Sequence, residues 1–208
     1  MVEVVGLYNP LLWQLMNVKY IFNDQTDSSG AVSLVYSGRQ AKVYTAREFL
    51  PRAFFVNRYQ VATGLDILNK IRSLEFEPQD VAYMLEDPKI EIAPPQPDAR
   101  AAYVRNGLHG FELDVNATGD NLLFLSETYY PVGWKAFIDG KETAIYRLNY
   151  LFRGVVVPPG RHKVEMQFEP RGFSLGKNLS LAANVIVIVA FGYFGVDYFR
   201  IRKKNNTG

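Results

Sequence analysis

The chain has 208 residues, with 23 basic against 21 acidic side chains and no cysteine. That length buries a sizeable core without staples. A formal charge of +2 builds no field of the strength nucleic-acid binding needs. Lack of cysteine excludes disulfides, thiolate nucleophiles and cysteine-ligated metals together, and leaves the compartment open.

From the N-terminus, MVEVVGLYNPLLWQLMNVKY shows neither the basic start nor the unbroken apolar run of a signal peptide. Asn9-Pro10 predicts a helix over Leu11–Met16, with Asn as N-cap and Pro in the first turn. Val18–Phe22 reads as a strand and Asn23–Gly30 as a polar loop. Ala31–Tyr36 and Ala41–Tyr44 form a hairpin around Ser37-Gly38. Phe49–Val56 is a short apolar strand that Pro51 confines to an edge or a strand start. A helix over Leu65–Leu74 presents Leu65, Leu68 and Ile71 on one face, and Thr63 with Asp66 has the spacing of a capping box. Its packing is expected to matter to the small lobe alone. Ala93–Asp98 holds three prolines and must be extended. Composition changes there, so the expected division is a small α+β lobe over 1–92, a Pro-rich linker over 93–98 and a β domain over 99–172.

Beyond the linker the pattern is β. Phe111, Leu113 and Val115 alternate with Glu112 and Asp114, and Leu122–Leu125 is apolar throughout. Leu151–Val157 passes through Pro158-Pro159-Gly160 into Val164, Met166 and Phe168, which alternate with polar residues. Short strands between closely spaced turn signals predict a mainly β chain, an antiparallel, jelly-roll-like sandwich. Asp139-Gly140, between Trp134–Ile138 and Lys141–Ile145, predicts a type I′ hairpin with positive φ at both turn residues.

Leu179–Phe199 is uncharged until Asp197, and its roughly 21 residues cover about 30 Å as a helix, the thickness of a bilayer's hydrocarbon core. It predicts a transmembrane helix within 177–200. Arg200, Arg202, Lys203 and Lys204 follow it at once, against Arg171 and Lys177 before it, so 201–208 is a basic cytoplasmic tail and the β domain lies outside. A lone C-terminal helix does not explain how the preceding domain crosses the membrane. The expectation is therefore the C-terminal part of a larger polytopic membrane protein.

Chemistry is sparse. His109 and His162 stand in no metal-ligand spacing, and the Gly-x-Ser-x-Gly elbow, the Walker loop and the dinucleotide fingerprint are all missing. Neither a cofactor nor a metal is expected. Asn116, Asn178 and Asn205 match the glycosylation acceptor pattern, a frequent chance match. Glu127 and Asp139 flank one aromatic loop, but a strand end and a turn already explain them. The stretch Ser126–Asn149 is the informative one, because Glu127, Tyr129, Tyr130 and Trp134 crowd a connection that is more often small and polar. Two readings stay open: these aromatics close one end of the sandwich core, or they face a ligand. In the second reading, Glu127, Tyr129, Tyr130, Trp134, Lys135, Arg147 and Asn149 bind a polyhydroxylated ligand, its apolar faces on the rings and its hydroxyls on the polar groups.

LSETYYPVGWKAFIDGKE, then IYRLNYLFRGVVVPPGRHKVEMQFEP and a terminal apolar helix, resemble the C-terminal end of the YfhO family of bacterial membrane proteins. LLWQLMNVKYIF and LPRAFFV are similar to the segment before it, and Val132 lengthens the family's Tyr-Pro-Gly-Trp form by one residue. The resemblance implies a GT-C-type glycosyltransferase that takes sugar from a polyprenyl-phosphate carrier and adds it, outside the cell membrane, to cell-wall polymers such as teichoic acid. It assigns no catalytic residue to this stretch, since the acidic residues it would make catalytic lie in loops between earlier membrane helices. The partners it implies are the lipid bilayer, a cell-wall glycan or lipid-linked sugar, and the protein's own upstream membrane part. The alternative is a membrane-anchored glycan-binding or structural β module without transferase activity.

Overall fold

A computed structural model describes residues 9–23 and 30–205, and the expected loop Asn23–Gly30 falls mostly outside them. Two compact units result, 1–168 and 169–208. Among the described residues, the first contains helices α1 (Pro10–Leu15) and α2 (Gly64–Ser73) and fourteen strands. In chain order these are β1 (Tyr20–Asn23), β2 (Val32–Ser37), β3 (Lys42–Ala46), β4 (Ala53–Val56), β5 (Arg58–Val61), β6 (Val81–Met84), β7 (Arg100–Gly107) and β8 (Gly110–Ala117). They continue as β9 (Asn121–Thr128), β10 (Trp134–Ile138), β11 (Lys141–Thr143), β12 (Tyr146–Leu148), β13 (Phe152–Val157) and β14 (Gly160–Phe168). The chain is mainly β, as its patterning predicts.

Two antiparallel sheets make the sandwich, one ordered β11-β10-β14-β8-β7 and the other β12-β13-β9-β4. The four-stranded sheet is the central layer. In β9, Leu123 and Leu125 enter the core shared with the five-stranded sheet, where they meet Leu113, Val115, Val155, Val164 and Met166. Leu122 and Phe124 enter a second core with Leu15, Ile67, Ile71 and Met84. A strand buried on both faces needs a continuous apolar run, and LLFL supplies one. Phe124 stacks on Phe54 with ring centroids 4.6 Å apart and tilts against Phe152 at 5.3 Å.

The second core ties the segments on either side of the Pro-rich stretch together. β4 pairs with β9 from Ala53↔Leu125 to Val56↔Leu122. Pro51 stands just before this strand, whose only paired neighbour is β9, so it starts a strand at a sheet edge as expected. Residues 93–96 have no regular structure, whereas Pro97-Asp98, expected to be extended, form a turn that Ala99 N–H closes by donating to Gln96 O at 2.9 Å, and the stretch is docked. Ala93 donates its N–H to Asp120 O at 2.9 Å, Gln96 donates to Thr118 Oγ1 at 2.8 Å, and the buried Asn121 amide donates to Ala93 O at 2.8 Å. Packing thus continues across the change in composition.

Helix α2 differs from its expected role in two ways. Ile67, Leu68 and Ile71 are its buried stripe, while Leu65, in the first turn, is 65% exposed. The stripe packs on Phe54, Leu122, Phe124 and Phe152 of the central sheet, so its loss reaches the sandwich and not a small lobe alone. The caps follow the sequence. Thr63 Oγ1 accepts from Asp66 N–H at 3.2 Å, and Asn9 Oδ1 accepts from Leu12 N–H at 2.8 Å. β5 and β6, joined through α2, pair in parallel, which a helix crossover permits. β1, β2 and β3 form a separate small sheet over Trp13, Val32 and Tyr44.

The second unit contains α3 (Arg171–Asn205). Leu175–Gly195 is its 21-residue apolar stretch, long and apolar enough to cross a membrane, with mean hydropathy 1.7. Asn184 donates its side-chain amide to Ser180 O at 2.9 Å, one turn back, so one of its donors is met within the helix itself.

Candidate functional site

Strand β10 leads from an aromatic loop to a tight turn. At the turn, Asp139 and Gly140 have φ of +51° and +81°, the type I′ signature. Asp139 Oδ1 accepts from Lys163 N–H at 2.8 Å, and Oδ2 stands 2.6 Å from His162 Nδ1. The hydrogen bond to His162 holds the Asp139 carboxyl below the usual carboxylate range, and the same bond raises His162 above the ordinary imidazole value. These groups serve the turn.

The other end of β10 is different. The loop Tyr129–Gly133 is anchored by Tyr129 N–H donating to Leu151 O at 2.6 Å, and Gly133 takes φ +94°. Trp134 is half-buried, packed on Phe168 at 5.2 Å and Phe111 at 6.0 Å. Beneath it lies Arg153, whose guanidinium carbon is 4.0 Å from the Trp134 ring centroid and 5.6 Å from that of Phe111. Arg153 belongs to β13, and only 3% of it is exposed. The β9–β13 register shifts there, from Phe152↔Thr128 to Arg153↔Leu125. The bulge leaves Ser126 and Glu127 as extra residues on β9, which re-aims side chains locally.

Glu127 lies between two arginines. One carboxylate oxygen pairs with Arg52, and the other stands 3.4 Å from Arg153 Nη2. Arg52 in turn covers the Tyr103 ring, 4.8 Å from its centroid. Burial, with the Glu127 charge second, pushes the Tyr103 hydroxyl well above its ordinary pKa, so it stays protonated. Burial also draws Arg153 below its usual value against the opposing pull of Glu127, but a guanidinium remains charged. Among the described residues, Tyr103 Oη, Arg153 Nε and Nη1, and Asn149 Nδ2 are buried without a hydrogen-bond partner.

The seven residues expected to bind ligand fall into four places. Tyr129, Tyr130, Trp134 and Lys135 line one cleft of about 220 Å³, together with Pro131, Glu142, Thr143, Ile145 and Arg153. Arg147 lines a neighbouring cleft of about 340 Å³, beside Met84, Glu86 and Tyr146, and Tyr129 forms part of both. Its Nε donates to Tyr150 O, and its guanidinium lies over the Tyr150 ring. Glu127 sits in the charged cluster. Asn149 is fully buried at φ +46°, where Oδ1 accepts from Tyr83 N–H at 2.7 Å and its own N–H donates to Tyr83 O at 2.8 Å. That paired bond makes Asn149 a clamp between the β12–β13 turn and β6.

Arg52, Tyr103 and Arg153 escape sequence reasoning. The available signal is a lone charge in LFRGVVV, an otherwise apolar strand. A larger cleft of about 430 Å³ lies on the outer face of β7, β8 and β14, lined by Arg100, Asp114, Asn116, Arg161 and His162. Its charged side chains are exposed or paired with the turn, and Asn116 donates its side-chain amide to Asp98 O. Among the described residues, no group of three or more His, Asp or Glu is placed to hold a metal ion.

The class these features define is a mainly β protein with, among the described residues, one helix long and apolar enough to cross a membrane. Residues 99–180 match the family described as "Bacterial membrane protein YfhO". The match runs from β7 through β14 into α3, includes the cleft, and bears out the resemblance read from the ETYYP and GRHKVEMQFEP stretches. Neither the curated proteins nor the solved structures contain a match to this chain.

Proposed function

We propose that the β unit stands outside the cell membrane, held by α3, and binds a cell-wall glycan in the cleft beneath the Tyr129–Trp134 loop. It would act as the acceptor-holding part of a YfhO-type membrane glycosyltransferase. One observation carries this reading: Tyr129, Tyr130 and Trp134 share a cleft with Lys135, Glu142 and Thr143. Ring faces suit the C–H face of a sugar, and the polar groups suit its hydroxyls. The orientation rests on Arg200, Arg202, Lys203 and Lys204 just after the apolar helix. The transferase setting rests on the family resemblance, and no transfer step is assigned to these residues.

The test uses the full chain in lipid nanodiscs, titrated with purified teichoic acid and with neutral glucan oligomers. Tyr130 is 51% exposed, so Tyr130→Ala should keep the fold. It is expected to weaken binding about tenfold, near 1.4 kcal/mol. Absence of binding at millimolar ligand, or affinity indifferent to Tyr130→Ala, would overturn the proposal. A second reading, a structural β module, is favoured by the packing of Trp134 on Phe111, Phe168 and Arg153. Under that reading Trp134→Ala unfolds the domain, and the chain has no ligand to lose.

A further inference from the structure

Arg153 is the feature of the cleft that folding does not account for. A guanidinium buried to this degree normally has its N–H groups matched, because an orphaned buried donor has lost its water without gaining a partner. Here Nη2 has only the 3.4 Å contact with Glu127, whose other oxygen is taken by Arg52. Nε and Nη1 have no acceptor among the described residues. Two arginines against one carboxylate leave one positive charge in excess beneath the aromatic loop. Glu142 is the one carboxylate among the described lining residues of the cleft. The guanidinium carbon lies 4.0 Å from the Trp134 ring centroid, a cation–π contact that uses none of the N–H donors. Tyr103, the neighbour of Arg52, adds a further buried hydroxyl without a partner.

We propose that the floor of this cleft is an oxyanion subsite, in which Arg153 takes a phosphodiester or carboxylate group carried by the glycan. This rests on the reading of the cleft as a glycan site and narrows it to an acidic polymer. An incoming oxyanion supplies the acceptor that Arg153 Nε and Nη1 lack and offsets the excess charge, and such charge-assisted bonds are the strong ones. The neighbouring cleft with Arg147 lacks this property, since that guanidinium already donates to Tyr150 O.

The experiment is isothermal titration of the full chain in nanodiscs of neutral phosphatidylcholine. The probes are a glycerol-phosphate oligomer, a galacturonate oligomer, a neutral glucan oligomer of equal length, and inorganic phosphate as competitor. At least one charged oligomer is expected to bind about tenfold tighter than the neutral one, with an advantage that shrinks as salt rises. Which of them does so tells phosphodiester from carboxylate. Arg153→Met keeps side-chain volume and removes the donors, and should bring the charged oligomer down to the affinity of the neutral one. Equal binding of charged and neutral oligomers to the unaltered chain, or an advantage that survives in Arg153→Met, overturns the subsite. If Arg153→Met does not fold, competition by inorganic phosphate on the unaltered chain decides: displacement of the charged oligomer supports the subsite, and indifference overturns it. The two proposals fail separately. Neutral binding without a charge advantage removes the subsite and leaves the glycan reading, whereas phosphate binding without any oligomer binding leaves the subsite and removes the glycan reading.

Discussion

At the Ile138 end of β10, Asp139 is matched by Lys163 N–H and His162, and His162 Nε2 stands 3.3 Å from Pro159 O. At the Trp134 end, a few residues away, three buried donor atoms of Tyr103 and Arg153 stand without partners. Both ends connect strands of the same sandwich, so the demands of chain reversal are alike. The first end is accounted for once the turn is made, and nothing about it calls for a ligand. The second contains charges and aromatic rings that a turn does not need. What marks the candidate site is that the leftover groups of Arg153 stand in a cleft lined by aromatic rings; Asn149 Nδ2, also without a partner among the described residues, lies away from that lining.

The largest effect expected is at the unmatched end. Glu127→Ala leaves Arg52 and Arg153 facing each other without their carboxylate, and removing one member of a largely buried ion cluster costs about 3–5 kcal/mol. Denaturant unfolding measures it, and a loss below about 1 kcal/mol would mean that the cluster is effectively solvated. Next comes Asn149→Ala, which deprives the buried Tyr83 N–H of its acceptor. It should cost about 1–3 kcal/mol in the same assay. With glycan affinity unchanged, that result would sharpen the assignment of Asn149 to folding and separate it from the cleft.

At the matched end the effects should be smaller. Gly140→Ala places a side chain at φ +81° with open space around it, so backbone strain alone acts, about 1 kcal/mol. The smallest effect is the pH dependence of the Asp139–His162 pair. Asp139 holds the His162 proton more tightly in the folded chain, so that contribution is complete below the ordinary imidazole value of 6.5 and fades as pH rises through the raised one. The Asp139 contribution is present above its ordinary value of 3.8 and is lost as pH falls through the lowered one. The pair is strongest between those limits. Being partly exposed, it is worth less than about 1 kcal/mol. His162→Gln should flatten that part of the thermal-stability profile, and an unchanged profile would show that the pair is inert.

Local rules made several elements legible in the sequence. The positive φ pair at Asp139-Gly140, the Asn9 and Thr63 caps, the alternation of β8 and β14 and the apolar length of α3 each depend on neighbouring residues alone. The run LLFL reads as an apolar strand, and only the structure shows both of its faces buried. Of the proposed ligand residues, Tyr129, Tyr130, Trp134 and Lys135 did come together, because a short loop and the strand it enters cannot separate them. Asn149 lies in the same stretch, and nothing in the local pattern shows that it pairs with Tyr83.

The tertiary structure alone decided what lies under the loop. Arg52, Tyr103, Glu127 and Arg153 come from four separate segments, and each is ordinary in its own neighbourhood. They meet because β4 pairs with β9 across the Pro-rich stretch and because the bulge opposite Arg153 interrupts the register. Composition and periodicity fixed the mainly β class, the hairpin and the apolar helix, since these follow from local propensity and burial. The burial of Arg153 depends on long-range strand pairing, and such pairing leaves no trace in the local pattern.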